Sequence, residues 1–563
     1  MNRENESTSV LESSSNAPAD SPAAAHSTSF DDVKQLGFFA AIGSLSYVFW
    51  IVGGMEMVER LAFYGVKAVA TLYAKDPVSS GGLGVNMTAF GVITATWAFV
   101  QCFVPIFTGG LSDRYGYKET IFASTIVKIL GYLIMAWFPT YWGFFAGVIV
   151  LAIGTAIFKP GIQGTLIKST DRRNSSIAWG IFYQTVNIGG FLGPLVAGYM
   201  RKMEWTYVFY SCAVIISLNF LLLLTYREVG KEERLARQRA EATGGIARRS
   251  LFSESLTELA KPHVWTYLLL FSGFWFMFNS LFDVLPAHID DWVDSSDVVR
   301  ALNPSGQSGN PIVNFFVIVS EDGTHVQPEG MVNVNAGLIM TTCFIFAGLS
   351  ACMRATTSMF VGTLLAAIGL FGCGYATLGW MSLGAIAIFS VGEMLSSPKF
   401  SEFIGNFAPH DKKAMYIGFS QIPIAIGWTL EGQLGLTMYE HMASKDRFSR
   451  DLMVDWIRGG KIELPTLDAL TTLAGSHAAQ NPPEKLAEWF RLDPGQFASA
   501  IPQGEAFQWL VTISHQTPQA LTSLLYSTHN VGLLWYIMGG IGVASAIGIW
   551  IYGQWIRTLK PAA

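Results

Sequence analysis

Charged side chains are scarce in this sequence of 563 residues. Asp, Glu, Lys and Arg make up 14% of it, whereas soluble domains contain about 25%. The hydrophobic share is 51%, so the chain cannot cover its apolar surface with polar groups, and we expect its solvent to be a lipid bilayer. This composition excludes the disordered, collagen-like and disulfide-scaffold classes. The net charge of −5 gives no indication of a nucleic-acid partner.

Cysteine is also sparse, and its positions indicate neither a disulfide framework nor a metal site. The five cysteines lie inside or at the edge of apolar runs, and none has a Cys-x-x-Cys spacing. We interpret them as small buried hydrophobic residues. The nine histidines show no metal spacing, and no nucleophile elbow or catalytic triad pattern is visible. We therefore predict no metal, no cofactor and no enzymatic activity.

Long apolar runs dominate the rest of the sequence. A helix that spans a bilayer needs about 20 mostly apolar residues, and about a dozen runs meet that requirement. These predicted spans are 40–74, 87–110, 119–138, 142–167, 174–200, 204–226, 263–288, 331–353, 356–378, 380–408, 414–438 and 530–556. The sequence therefore predicts an all-α membrane protein.

The distribution of Lys and Arg predicts the topology. The gap at 227–262 carries eight of them, whereas the turns at 139–141 and 378–380 carry none. With an even number of spans, the positive-inside rule places both termini in the cytoplasm. We expect a multi-pass protein of the plasma membrane, which in a bacterium is the cytoplasmic membrane. The predicted parts are a disordered cytoplasmic tail at 1–33, a six-helix bundle at 34–226, a charged cytoplasmic linker at 227–262, a second six-helix bundle at 263–556 and a cytoplasmic tail at 557–563.

Two segments on the outer side are longer than ordinary loops. Residues 289–330 begin with acidic side chains. The alternating run Asn314–Ser320 is followed by a Glu-Asp-Gly-Thr turn at 321–324, and together they predict a hairpin. Residues 440–529 show apolar residues at helical spacing, punctuated by Pro and Gly, which predicts a small helical subdomain. An unknown partner that binds this second insertion is one role we consider.

The first predicted span contains an unusual set of ionisable side chains, Glu56, Glu59, Arg60 and Lys67. Each ionised group at mid-membrane costs about 2.5–3.5 kcal/mol on insertion scales. Helical spacing puts Arg60, Tyr64 and Lys67 along one face, which must therefore look into a wet cavity or a protein interior. The alternative interpretation is a structural ion-pair cluster that locks helices together.

A second motif lies between the second and third predicted spans, where residues 109–118 read GGLSDRYGYK. Its glycines permit a tight turn and close approach. The pattern resembles the signature loop of the major facilitator superfamily, GxLaDrxGrk; the alternative is an ordinary charged loop. The resemblance implies that the loop gates the cytoplasmic side without binding substrate. The residues that carry it are Gly109, Asp113, Arg114, Gly116 and Lys118.

The first span also resembles a more specific motif, ExxERFxYYG of the proton-dependent oligopeptide transporter family. Leu61 and Phe63 replace Phe and the first Tyr, and Lys67 stands where the family usually has Arg. Further matches follow in the family's order at Phe158-Lys159-Pro160, at Phe182–Gly189, at Gly392-Glu393 with Ser397-Pro398, and at Gly427-Trp428. The seventh span departs from the family, because Phe278, Asn279 and Ser280 stand about where members have acidic residues or Gln, and Asp283 follows one turn later.

The charges suggest a mechanism. Lys159 is expected to pair with Glu56 or Glu59 when the site is empty, since an unpaired buried charge costs about 3–5 kcal/mol. A substrate carboxylate then replaces a glutamate as the partner of a cation, and the displaced glutamate takes up a proton because burial disfavours its charged form. The resemblance implies that the basic cluster holds the peptide carboxylate and that Glu393, with Asn187, holds the amino end.

The candidate residues fall into two overlapping sets. The proton-coupling set is Glu56, Glu59, Arg60, Lys159 and Glu393. The substrate-binding set is Arg60, Tyr64, Lys67, Lys159, Asn187, Asn279, Asn335, Glu393 and Trp428. For Trp428, Asn187 and Asn335 a role in helix packing is an equal alternative, since polar side chains commonly join membrane helices.

The sequence thus predicts a major facilitator fold of twelve transmembrane helices in two six-helix bundles. The expected function is proton-coupled symport of di- and tripeptides or peptide-like solutes, driven by the proton gradient without a cofactor. One alternative keeps the fold and changes the solute to nitrate, a nucleoside, an amino-acid derivative or a drug. Another is a membrane sensor that uses this fold without transporting.

Overall fold

Helices form nearly all of the regular structure in this computed structural model, which describes residues 38–171, 173–228, 231–232, 235–236, 256–303, 310–407, 416, 418–462 and 493–558. The first half contains α1 (Phe38–Gly43), α2 (Tyr47–Lys67), α3 (Ala70–Lys75), α4 (Met87–Tyr115), α5 (Tyr117–Trp137), α6 (Tyr141–Lys168), α7 (Ser175–Met203) and α8 (Trp205–Leu224). Ser46, Asn86 and Thr140 begin α2, α4 and α6, and each accepts a hydrogen bond from the backbone N–H three residues later. Such caps satisfy donors that the helix itself leaves unpaired.

The second half is interrupted by the two insertions. Its long helices are α9 (Pro262–Asp283), α13 (Pro328–Ala351), α14 (Ala355–Tyr375), α15 (Gly379–Phe407) and α22 (Leu533–Thr558). A further rod consists of α16 (Gln421–Leu430), a π-helical turn at Glu431–Gly435 and α17 (Leu436–Met442). The insertions contribute α10 (Leu285–Trp292), α11 (Ser296–Leu302), α12 (Pro311–Val317), α18 (Lys445–Arg458), α19 (Pro494–Ala500), α20 (Ala506–Ser514) and α21 (Pro518–Thr528).

Nine helices of the described residues are long and apolar enough to cross a bilayer by length and composition. The protein is therefore a multi-pass membrane protein. The predicted spans 40–74 and 174–200, and the described part of 414–438, are largely helical as well but do not meet that criterion. Helix α2 carries four charged residues, and the π-helical turn interrupts the described part of 414–438. The count of twelve spans stays a prediction. The predicted tail at 1–33 and most of the linker at 227–262 lie outside the described residues.

The predicted loop at 109–118 is wrong in extent. Helix α4 continues to Tyr115 and α5 begins at Tyr117, so that Gly116 alone separates them. Gly116 has a φ of 115°, a conformation that residues with a Cβ rarely adopt. The sequence pattern located the turn correctly, but the residues before Gly116 have helical periodicity and continue the helix.

The predicted hairpin in 289–330 is also wrong in its first arm. Residues Pro311–Val317 form helix α12, with Pro311 in its first turn and Asn310 as a cap. The tight turn exists, because Gly323 has a φ of 70° and an isolated antiparallel bridge joins Val319 to Val326. Proline at the first helical position favours a helix, and this signal overrode the alternation of the residues that follow.

Glycines allow the closest helix contacts at matching places in the two halves. A Cβ on Gly131 of α5 would lie 2.8 Å from the backbone nitrogen of Leu151 in α6. A Cβ on Gly392 of α15 would lie 2.4 Å from the backbone nitrogen of Ala366 in α14. Small residues at such contacts are how membrane helices maximise van der Waals packing. Each half therefore contains a tightly packed helix pair in the equivalent position.

The second insertion has a small core of its own. Its apolar cluster consists of Met453, Phe497, Ile501, Ala506, Trp509, Leu510 and Leu521. The Arg450 guanidinium binds the backbone carbonyls of Ala498, Ile501 and Pro502 at 2.7–2.9 Å. The Trp292 indole N–H donates to the Ala443 carbonyl at 2.8 Å and thereby ties α10 of the first insertion to the start of the second. We refer below to the end of the molecule that carries both insertions as the insertion end.

Candidate functional site

The carboxylates of α2 are held by two cations. The Arg60 Nε lies 2.8 Å from Glu56 Oε1 and 2.9 Å from Glu59 Oε2. Glu59 also faces the Lys128 Nζ at 3.6 Å. All four side chains are buried, and such pairs persist only where each charge has a partner. The ionisable cluster predicted from the sequence therefore exists as an ion-pair network inside the first half.

Sequence reasoning missed Lys128. Its side chain on α5 is fully buried, and its ammonium lies 3.6 Å from the centre of the Phe158 ring. The signal was available, since a single lysine interrupts the apolar run of the third predicted span, and an ionisable residue within a membrane helix marks a functional or structural site. The denser charges of α2 form a much stronger pattern in the sequence than this single lysine does.

Lys159 does not make the predicted ion pair in this structure. Among the described residues, no carboxylate lies within 4 Å of its ammonium, and Arg60 and Lys128 hold the glutamates instead. Lys159 is half-buried on α6 and interacts electrostatically with Glu56 and Glu59 over a longer distance. When every group is ionised, this region holds two carboxylates and three cations. It therefore has one positive charge in excess.

A second ionic group joins the two halves. Lys67 of α2 forms an ion pair with Asp283 at the end of α9, and its ammonium lies 4.3 Å from the centre of the Trp428 ring. The Trp428 indole N–H donates to Asp283 Oδ2 at 3.0 Å, and the Thr71 hydroxyl donates to the Asp283 carbonyl at 2.7 Å. Lys67 and Trp428 thus lie together as the predicted set requires. Asp283 is the residue that links them.

A cavity between the halves collects another part of the predicted set. Tyr64, Asn187, Asn335 and Glu393 all line it, together with Glu329. The Asn335 amide donates to Glu393 Oε2 at 2.9 Å and to the Ser390 hydroxyl at 3.0 Å. The cavity volume is about 40 Å³, which holds a few water molecules. A larger solute requires the halves to move apart.

Asn279 lies elsewhere. Its side-chain amide donates to the Trp275 carbonyl one turn back on the same helix, at 2.7 Å, and it does not line the cavity. The Asn187 amide makes the same kind of bond to Tyr183 at 2.9 Å, but Asn187 remains at the cavity wall. Back-bonding of this kind satisfies a polar side chain within its own helix.

The predicted gating motif is described in part. The Lys118 ammonium donates to the Tyr226 carbonyl at 2.8 Å, and the Tyr117 N–H donates to Glu228 Oε1 at 2.9 Å. These bonds join the α4–α5 turn at Gly116 to the residues that follow α8. The side chains of Asp113 and Arg114, and Gly109, lie outside what the structure describes. A gating role for the motif stays a prediction.

Ion pairs join the two halves at the insertion end. Lys75 of α3 pairs with Asp290 and with Asp291 of α10, the latter at 2.5 Å. Arg201 of α7 pairs with Glu329 of α13 at 2.8 Å. Although burial acts to raise it, the ammonium of Lys75 holds the pKa of Asp290 below its usual value. These contacts run between the two halves.

The comparison with known protein families identifies the chain. The family model of the Major Facilitator Superfamily matches residues 59–430. The chain belongs to this superfamily. The predicted all-α major facilitator fold is thereby confirmed.

The curated relatives of this major facilitator protein include transporters of different solutes. It is 28% identical over 201 residues to the transporter YclF of Bacillus subtilis and 30% identical over 162 residues to the peptide transporter YePEPT of Yersinia enterocolitica. These matches cover 35% and 27% of this chain, and 40% and 31% of the relatives. The chain therefore spans less than half the length of these two relatives. It is also 22% identical to the multidrug resistance protein MdtH of Yersinia enterocolitica over 393 residues, 69% of this chain and 86% of MdtH.

Solved structures share the fold. A transporter of the POT family in complex with 5-aminolevulinic acid superimposes with a TM-score of 0.57 at 17% identity, covering 74% of this chain and 94% of that one. A bacterial homologue of the human drug peptide transporters gives 0.57 at 18% identity, covering 91% and 99%. At such low identity the likeness establishes the architecture alone.

Proposed function

We propose that this major facilitator protein is a proton-coupled symporter of di- and tripeptides or peptide-like solutes, and a divergent member of the proton-dependent oligopeptide transporter family. The α2 motif and the ordered matches at Lys159, Glu393 and Trp428 support the family. The names of the relative YePEPT and of the superimposed POT structure point to the same class of solute. The proposal includes the predicted topology, in which both termini lie in the cytoplasm.

The observation that carries the proposal is the separation of charge between the first half, which holds Lys159, and the second half, which holds Glu393 at the cavity wall. The region of α2, α5 and α6 holds one positive charge in excess, at Lys159. Glu393 on α15 has only the Asn335 amide and no cation within 4 Å among the described residues. A zwitterionic peptide has the complementary arrangement, a carboxylate at one end and an ammonium at the other. A neutral or singly charged solute would leave one of these groups uncompensated, which is costly in a membrane interior.

Proton binding involves the same groups. A peptide carboxylate that binds the cations weakens their hold on Glu56 or Glu59, and a buried carboxylate that loses its cation prefers to take up a proton. Substrate and proton thus favour each other's binding, as linkage requires. Because the cavity holds only about 40 Å³ and ion pairs join the halves at the insertion end, transport also requires the halves to move relative to each other.

The first test is uptake of labelled dialanine into proteoliposomes with an inward proton gradient. We expect gradient-dependent uptake by the wild type and a loss of at least tenfold in Glu393→Gln, which keeps the shape but cannot balance the peptide ammonium. Glu402→Gln is the matched control, because Glu402 lies on the same helix with an exposed side chain. It should transport within twofold of the wild type.

Blocked peptides sharpen the test. Acetyl-dialanine lacks the ammonium and dialanine amide lacks the carboxylate, so each should compete at least tenfold less well than dialanine, a difference of about 1.4 kcal/mol. Equal competition by all three peptides would contradict a site that recognises both charged ends of the peptide. Binding without any flux, by protein shown to be folded and oriented, would favour a sensor that uses this fold.

The similarity to MdtH favours a second candidate, a carrier of drugs or another small solute. That match covers 86% of MdtH, far more than the peptide-transporter matches cover. A drug carrier should move amphipathic cations without dialanine competition. A panel of labelled solutes, measured in the same proteoliposomes, separates the two candidates.

A further inference from the structure

Glu431 is a buried carboxylate that the proposed mechanism does not use. It lies in the π-helical turn between α16 and α17, and its side chain is fully buried. No hydrogen-bond donor among the described residues reaches either of its carboxylate oxygens. A buried ion without donor or cation is very unfavourable, so the ionised form does not fit this environment.

The neighbour that explains this arrangement is another carboxylate. The Glu431 carboxyl lies within hydrogen-bonding reach of Asp283. Asp283 is already engaged, since Lys67 pairs with one of its oxygens and the Trp428 indole N–H donates to the other at 3.0 Å. Two carboxylates therefore face a single cation. When every group is ionised, the trio carries one negative charge in excess.

Within the described part of the chain, no other charged group compensates Glu431. Helix α4 packs against the turn through Gly91 and Thr94, and α22 contributes Met538 near the Glu431 carboxyl. The charged groups that act on Glu431 are Asp283 from α9 and Lys67 from α2. Helix α16 and the other residues of the turn contain no charged side chain. Single π-helical turns often occur at functional sites, and this one holds the carboxyl against the pair that joins the two halves.

We propose that Glu431 is a proton-binding site, at which one proton is shared between the Glu431 and Asp283 carboxyls. The proton resides on Glu431, because Asp283 is held by Lys67 and Trp428, and the Glu431 O–H donates to the Asp283 carboxylate. Two carboxylates so close together cannot both ionise. Uptake of this proton removes the excess charge and leaves Lys67 and Asp283 matched one to one.

This site has a consequence for the coupling of proton and conformation, a step that rests on the proposed function. While Glu431 is protonated, Lys67 forms an ion pair with Asp283 alone, and this pair joins α2 to α9. When the proton leaves, Glu431 competes for Lys67 and the bond between the halves weakens. Occupancy of the proton site therefore biases the equilibrium between closed and open arrangements of the halves.

Protonation is measured without any transport. In infrared spectra of the purified full-length protein at pH 7, a protonated carboxyl shows a carbonyl stretch distinct from that of a carboxylate. We expect Glu431→Gln to lose the intensity of one carboxyl. Glu329→Gln is the matched control, because Glu329 is equally buried but has its own cation, Arg201 at 2.8 Å, and its replacement should leave the band unchanged.

A second variant excludes a merely structural effect. Asp283→Asn leaves Glu431 in place and removes the carboxylate that competes with it for Lys67. Glu431 should then be ionised, so the same band should disappear although the carboxyl remains. An unchanged band in Glu431→Gln, or persistence of the band in Asp283→Asn, overturns the shared-proton site.

Transport separates this proposal from the previous one. In Glu431→Gln, gradient-driven uptake should fall at least tenfold, while dialanine exchange without a gradient stays within twofold of the wild type. If the wild type does not transport dialanine but the infrared bands respond as expected, the peptide proposal fails and the proton site stands. Suppose instead that the wild type takes up dialanine, and that Glu431→Gln changes neither the infrared band nor the gradient dependence of uptake. The proton site then fails and the peptide proposal stands.

Discussion

At the scale of single residues, two lysines of similar sequence context have different environments. Lys128 is fully buried, pairs with Glu59 and packs on the Phe158 ring. Lys159 is half-buried and has no carboxylate within 4 Å in the described part of the chain. The first arrangement stabilises the folded protein, and the second is suited to receive an anion. Sequence reasoning named only the second.

Replacement of each lysine by methionine should separate these roles. Lys128→Met leaves Glu59 short of a cation, which we expect to cost about 3 kcal/mol and to lower the midpoint of thermal unfolding in detergent. Lys159→Met should change that midpoint little but abolish dialanine binding. Equal destabilisation by both substitutions would contradict the assignment of Lys159 to the solute.

At the scale of helices, close packing depends on a few glycines. Gly392 of α15 meets the backbone of α14, so an added Cβ has no space. Gly384 lies on the same helix with nothing within 4 Å of the position that a Cβ would take. The two positions form a matched pair that tests helix packing independently of helix propensity.

We expect Gly392→Ala to destabilise the protein by about 1–3 kcal/mol, since overpacking forces backbone shifts. Gly384→Ala should be neutral or slightly stabilising, because alanine is the better helix former. Thermal unfolding of both variants in the same detergent provides the measurement. A neutral Gly392→Ala would show that α14 and α15 can separate without cost.

At the scale of the whole molecule, the insertion end carries a charge network whose titration should affect stability. Burial, together with the neighbouring Asp290, raises the pKa of Asp76 to about 6. The ordinary value is about 3.9, so between pH 4 and 6 the folded state binds more protons here than the unfolded state does. The contribution of Asp76 to stability therefore rises as the pH falls through 6 and is lost as the pH rises through it.

Asp76→Asn should remove this dependence. Relative to the variant, the wild type should gain on the order of 1 kcal/mol between pH 7.5 and 5.5, measured by thermal unfolding across that range. Asp322→Asn is the control, since hydrogen bonds from Ser320 and Thr324 lower the pKa of exposed Asp322 to about 2, below the range tested. Parallel pH profiles of wild type and Asp76→Asn would contradict the raised pKa.

The sequence by itself determined the solvent of this protein and much of its helical plan. Low charge and long apolar runs require a bilayer, and most predicted spans agree with observed helices within a few residues, because helix length and hydrophobicity are local properties. The ionisable face of α2 was equally readable, since four charges in one span are too costly to be incidental.

Only the tertiary structure decided which charges meet. Periodicity assigns a residue to a face of its own helix, but the register and rotation of neighbouring helices depend on close contacts, such as those at Gly131 and Gly392, that no local pattern encodes. For this reason the partner of Glu59 is Lys128, the partner of Lys67 is Asp283, and Asn279 bonds within its own helix. The environment of Glu431 was equally unpredictable from the sequence, because the helices that pack around the π-helical turn determine that its carboxyl has no hydrogen-bond donor among the described residues.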